Sequence, residues 1–152
     1  MKVEAKLTAM NLELPRPAPS VGSYVRAART GNLLFLAGHG PYRNGKLAYT
    51  GKLGREYDVE TGCEAAKLVA LNCLATVKEA LGDLDKVIRV VKVTGFVNSA
   101  AGFVSQPQVI NGCSDLLIAL FGDAGRHARA AVGVAELPNG MAVEIEMILE
   151  VE

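Results

Sequence analysis

Apolar residues recur at Ala66, Val69, Ala70, Cys73, Leu74, Val77 and Leu81, the spacing of one face of a helix. Asp58 to Leu81 therefore reads as a long helix, opened by a capping box at Thr61-x-x-Glu64 and closed by Gly82 at the C′ position. Ser105-x-x-Gln108 opens a second helix that runs to Phe121 and stops at Gly122. Between them Val87 to Val97 is dense in β-branched residues and reads as a strand. Near the C-terminus the period falls to two: Val143, Ile145, Met147, Leu149 and Val151 point one way, and Glu144, Glu146, Ile148 and Glu150 the other. The stretch before it sends Ala128, Ala130, Val132 and Val134 to one face and Arg129, Ala131, Gly133 and Ala135 to the other; Leu137-Pro138-Asn139-Gly140 reads as a hairpin turn joining the two. Tyr24 to Ala28 and Leu33 to Gly38 are short β-prone runs about an Arg29-Thr30-Gly31-Asn32 turn. Residues 39–57, rich in glycine and charge and without a sustained period, read as a long surface loop whose Lys46, Lys52 and Arg55 are solvated. A short amphipathic segment, Val3 to Met10, and the Pro-rich LPRPAPSVG make residues 1–22 an N-terminal extension.

The order strand, strand, helix, strand, helix, strand, strand predicts an α+β fold, one domain over 1–152, with two helices on one face of a mixed sheet. The opposite face would carry Arg129, Glu144, Glu146 and Glu150 beside the smooth residues Ala131, Gly133, Ala135 and Ile148. Such a face suits packing against a second copy, so a symmetric homo-oligomer is expected. Charge adds little: 16 basic and 16 acidic side chains leave no surplus to drive binding to nucleic acid or an anionic membrane. Four Phe, four Tyr and no Trp make a stacking track for single-stranded RNA a poor fit. Cys63, Cys73 and Cys113 are odd in number, lack C-x-x-C spacing and lie inside the helices, which points to small buried thiols and a reducing compartment. With no apolar run near the roughly 20 residues that span a bilayer, a soluble, cytoplasmic protein is expected.

The chemistry concentrates at Arg129. Its neighbours are stripped to Ala and Gly, which leaves room for a small planar anion that the guanidinium fork can grip with two hydrogen bonds. The plain alternative is an ion pair with Glu146 or Glu150. Asn111-Gly112 inside a helix costs about 1 kcal/mol or more in propensity, which signals close packing or a polar task. His127 reads as a cap on the Gly122 to Gly125 loop, and His39 as a hydrogen-bonded turn residue.

Several pieces together resemble one family: Gly22-Ser23-Tyr24, the run Gly31 to Gly38, Asn72, Val93 to Asn98, Val109-Ile110-Asn111, Ala128-Arg129, and Val143-Glu144-Ile145-Glu146. They are similar to the RidA/YjgF family of reactive-imine deaminases, over nearly the whole chain. The long N-terminus, GKLG at 51–54 and NGCSDLL at 111–117 look like a branch of about 150 residues often labelled as endoribonucleases. The resemblance implies a chorismate-mutase-like fold and homotrimers with pockets between subunits. It implies that Arg129 binds the carboxylate of a 2-imino acid and that Glu144 lies near the attacking water. Tyr24, Gly38, Asn111 and the backbone of Ala131 are their partners, and neither cofactor nor metal is needed. Where the deaminases often carry Ser-Gly-Gln and Arg-Ser-Cys, this chain has Ala37-Gly38-His39 and Arg129-Ala130-Ala131. His39 is thereby expected at the pocket rim as a further titratable group.

Hairpin geometry would set Arg129 opposite Ile148 and Gly133 opposite Glu144, placing Arg129 and Glu144 on the order of 13 Å apart along one face. They share a pocket only if two subunits contribute or if the turn is no plain hairpin. Three function classes follow: a hydrolytic deaminase of small 2-imino or enamine acids, a non-catalytic binder of small carboxylates such as 2-oxo acids, and an endoribonuclease using His39 and His127 as an acid–base pair.

Overall fold

The computed structural model describes residues 2–17, 19–20 and 22–152, so Ala18 and Val21 of the Pro-rich segment lie outside the described residues. Helix α1, Lys2–Ala9, opens the chain and is followed by a hairpin of β1, Ala27–Thr30, and β2, Leu33–Leu36. A two-stranded ribbon of β3, Tyr42–Arg43, and β4, Lys46–Leu47, precedes the long helix α2, Val59–Leu81. Then come β5, Val87–Asn98; α3, Gln106–Phe121; β6, Ala128–Val134; and β7, Val143–Val151. The α+β class holds, with a third helix added to the expected two: Val3 and Leu7 of α1 are buried, and its first amides donate to Asp85 at 2.6 and 2.9 Å.

Local chemistry explains the boundaries and corrects two of them. Helix α2 is capped one turn earlier than Thr61-x-x-Glu64 predicts, because the carboxylate of Asp58 accepts from Thr61 N at 2.8 Å. It ends as expected at Gly82, whose φ of 81° is a left-handed turn that costs glycine nothing. Helix α3 starts at Ser105, but the Ser105 side chain makes no capping bond; Pro107 in the first turn, whose missing N–H loses no bond there, helps to start it. Residues 39–57 are not a mere surface loop. They carry β3 and β4, bury His39, Gly40, Pro41 and Leu53, and tie Lys52 Nζ to Asn98 Oδ1 at 2.8 Å, to the Ala135 carbonyl and, at 3.4 Å, to Glu136. Lys52 is thus a staple and not a solvated charge.

The main sheet runs β1-β2-β7-β5-β6, with β5 and β6 parallel and the other pairs antiparallel. The expected hairpin between the last two strands does not form. Residues 138–140 make a 3-10 turn, and β7 crosses to pair with β5 and β2 while β6 lies on the outer side of β5. The reason is the crossover through α3, which lays β6 parallel to β5 and leaves the place between β2 and β5 for the long, strictly alternating β7. One face of the sheet, with Leu34, Val93, Val97, Val143, Ile145, Met147 and Leu149, is buried against the helices. The other carries Phe35 at 40% exposure and Val132 at 43%, and no element of the described chain covers it.

The helices approach each other closely where Gly112 faces Cys63: a Cβ on Gly112 would sit 2.1 Å from the Cys63 carbonyl oxygen. This close approach accounts for the helix-interior glycine. Alanine would gain about 1 kcal/mol of helix propensity, but a backbone carbonyl cannot rotate away, and overpacking of this kind costs typically 1–3 kcal/mol or more. Gly112→Ala is therefore expected to lower the midpoint of urea unfolding. Of the thiols, Cys73 and Cys113 are fully buried, whereas Cys63 is half-buried and its thiol donates to Gln108 O at 3.0 Å. No helix among the described residues is long and apolar enough to cross a membrane.

Candidate functional site

Two polar centres emerge from the sheet. The first lies on its open face, in a shallow cavity of about 590 Å3 lined by Tyr24, Phe35, Gly38, Phe96, Glu144 and Glu146 among others. Gly38 makes room for the acid: a Cβ there would lie 2.9 Å from Glu144 Cδ. Burial pushes the Glu144 carboxyl above its ordinary value, and Glu146 beside it adds to the rise. Folding thus disfavours the ionised form, so its stabilising contribution is present in acid and lost as pH rises through the raised value. Glu144→Gln is expected to raise Tm at pH 7 in scanning calorimetry, with the gain vanishing toward pH 4.

His39 is not at the rim of this cavity, contrary to expectation. Strand alternation turns Gly38 to the open face and His39 inward, where its Nε2 meets Thr76 Oγ1 of α2 at 2.8 Å and its Nδ1 meets the Ala37 carbonyl at 2.6 Å. Its backbone pairs with Ile145 in both directions, at 2.8 and 3.0 Å, and so fixes the strand segment beside Glu144. Burial lowers its pKa, the Ala37 carbonyl opposes that, and the Arg26 charge lowers it further.

The second centre is Arg129. Its Nη1 donates to Asn111 Oδ1 at 2.7 Å and to Ser114 Oγ at 3.1 Å, both on α3. Among the described residues it has no carboxylate partner: Glu150 pairs with Arg89 at 2.7 Å, which disposes of that ion pair as the role of Arg129. Asn111, suspicious in the sequence, has its polar task here. Ser114 was overlooked, although its position three residues after Asn111 places both on one helix face. His127 does anchor the turn before β6: Nδ1 meets the Gly125 carbonyl at 2.7 Å and Nε2 meets Ser114 Oγ at 2.9 Å. Burial lowers its pKa, the carbonyl raises it, and Arg129 lowers it again.

The two centres lie on opposite faces of the sheet. Arg129 pairs with the buried Val93 and Glu144 with Phe96, three residues further along β5; an odd step reverses the face. Their backbones are about 14 Å apart by strand spacing and rise. The placement of Arg129, Ala131 and Gly133 with the glutamates on the far face is therefore corrected; Ala128, Ala130, Val132 and Val134 are the residues of β6 that share it. Ala131 packs inward against the core, next to Gly95. Since Val134 O accepts from Ser99 N across β5, alternation turns the peptide groups of Arg129 and Ala131 outward, along the free edge of β6. His39 and His127, tied to different helices, form no acid–base pair. Among the described residues no group of three or more His, Cys, Asp or Glu side chains is placed to hold a metal.

Residues 4–146 match the family described as "YjgF/chorismate mutase-like, putative endoribonuclease". The chain is 43% identical to protein TCP17 of Trypanosoma cruzi, covering 98% of this chain and 94% of that protein. It is 47% identical to Atu1372 of Agrobacterium tumefaciens, a crystal structure of unknown function, with a TM-score of 0.93 over 99% of this chain and 92% of that one. To RidA of an Antarctic Psychrobacter it is 30% identical, with a TM-score of 0.62 over 91% and 96% of the two chains.

Proposed function

Because this chain belongs to the YjgF/chorismate mutase-like family, we propose that it is a hydrolytic deaminase of small 2-imino acids and their enamine tautomers, assembled as a homotrimer whose pockets each join two copies. The observation that carries this reading is the state of Arg129. Its guanidinium is steered by two neutral oxygens, Asn111 Oδ1 and Ser114 Oγ, so its charge is held in place and, among the described residues, left without a carboxylate partner. A planar carboxylate is the ligand that matches such a fork, and the outward N–H of Ala131 at the strand edge supplies a further donor.

Glu144 supplies the chemistry from the opposite face of a neighbouring copy. Its half-buried carboxylate, beside the space left by Gly38 and near Tyr24, takes a proton from water as the water oxygen bonds to the C=N carbon and the C=N electron pair moves to nitrogen. That proton goes to the nitrogen to give a carbinolamine; Glu144 then carries the hydroxyl proton to the same nitrogen, the C–N bond breaks, and ammonia leaves as the oxygen becomes the carbonyl of a 2-oxo acid. An imine is already electrophilic, so holding its carboxylate and one water in register suffices and no covalent intermediate is needed.

The test is the disappearance of 2-iminopropanoate generated in situ by an amino-acid oxidase. Wild-type protein accelerates it, and Glu144→Gln loses about 10²-fold or more in kcat while still binding pyruvate. Pyruvate binding by the wild type without any acceleration would overturn turnover in favour of a carboxylate binder.

A further inference from the structure

With the His127 ring neutral, the hydrogen bonds behind Arg129 admit one proton assignment. The Gly125 carbonyl can only accept, so the His127 Nδ1, at 2.7 Å, carries a hydrogen. In the neutral ring Nε2 is then bare and accepts from the Ser114 hydroxyl at 2.9 Å. Ser114 Oγ is left to accept from Arg129 Nη1 at 3.1 Å. The chain runs in one direction, from the guanidinium through Ser114 to His127 and onto the backbone, and such chains polarise along their length. Ser114 is buried and its oxygen is engaged on both sides, so it is a link and not a free nucleophile.

We propose that Ser114 and His127 are positioning residues that lock Arg129 for its carboxylate ligand, and that arrival of the ligand draws a proton from solvent onto His127. With the site empty, the positive charge of Arg129 opposes a second cation two links away. A bound carboxylate offsets that opposition. Protonated Nε2 then donates to Ser114 Oγ, and the released hydroxyl hydrogen can turn to the Ile110 carbonyl one helical turn back. The groups around His127 are accounted for: α3 presents the Ser114 hydroxyl, the preceding turn the Gly125 carbonyl, and β6 Arg129. Asp123 and Arg126 in that turn pair with each other at 3.6 Å. The inference rests on carboxylate binding at Arg129 and goes beyond it, because that reading involves neither His127 nor any proton on it.

The experiment is calorimetric titration of the full chain with pyruvate from pH 8 to pH 5.5, in two buffers of different ionisation enthalpy, together with 15N NMR of the histidine rings without ligand. The ligand-free His127 is expected as the Nδ1–H tautomer, with net proton uptake on binding and affinity rising up to about tenfold toward acid pH. His127→Gln, whose amide oxygen can still accept from Ser114 but cannot take up the proton, should bind pyruvate without the tightening toward acid pH and without proton uptake. Ser114→Ala should raise KM with little change in kcat, and Ser114→Thr should restore it. An Nε2–H tautomer, or a pH dependence unchanged in His127→Gln, overturns the inference and leaves carboxylate binding standing. Failure of the wild type to bind pyruvate at any pH overturns both.

Discussion

Arg129→Ala is expected to lower kcat/KM on 2-iminopropanoate by about 10²–10³-fold and to abolish measurable pyruvate binding. The magnitude follows from removing one partner of a hydrogen-bonded charge pair in a partly desolvated site, worth about 2–5 kcal/mol, at about 1.4 kcal/mol per decade. Arg129→Lys should recover little, since an ammonium on a flexible stem cannot present the two parallel donors of a fork. The fold should tolerate both changes, because Arg129 is half-buried, lies on an edge strand and closes no ion pair among the described residues. Asn111→Ala raises KM by a smaller factor, since Ser114 Oγ still holds the same nitrogen. Unchanged turnover in Arg129→Ala would remove the guanidinium from the site altogether, and equal losses of Tm and activity would reassign it to folding.

Much of this was legible in the chain. The stripe from Ala66 to Leu81 with Gly82 behind it is nearly α2 itself, because a buried helix needs that stripe and a left-handed exit favours glycine. The alternation from Val143 to Val151 likewise gives both faces of β7. Pairing partners were not legible. A turn at 137–140 between two β-prone segments looks the same whether the strands pair with each other or, as here, sandwich a third strand from earlier in the chain, and that choice is made by the crossover through α3. The error propagated to function, because inserting β5 put Arg129 and Glu144 on opposite faces. His39 failed for a related reason: the resemblance gives it a position in the chain, while strand parity decides which way its ring turns. Ser114 and Lys52 were missed because their partners, Arg129 and His127 for one and Asn98 and Ala135 for the other, come from distant elements that no local period connects.

The opposed faces yield the sharpest expectation about the assembly. If one pocket takes Arg129 from one copy and Glu144 from the next, Arg129→Ala and Glu144→Gln spoil every pocket when each is pure, yet repair each other when mixed. A pocket is intact when its guanidinium comes from a Glu144→Gln copy and its carboxylate from an Arg129→Ala copy. With equal amounts drawn at random into closed rings, that pairing occurs in about one quarter of the interfaces. Two nearly inactive preparations, unfolded together and refolded at equal concentration, should therefore reach about a quarter of the wild-type rate. A double variant carrying both changes, mixed with wild type, should instead never exceed the share set by wild-type neighbours. No recovery on mixing, with the mixed oligomers verified by native mass spectrometry, would mean that both residues serve one protomer. That outcome would require β6 or β7 to move by the width of the sheet, which the closely packed core beneath them opposes.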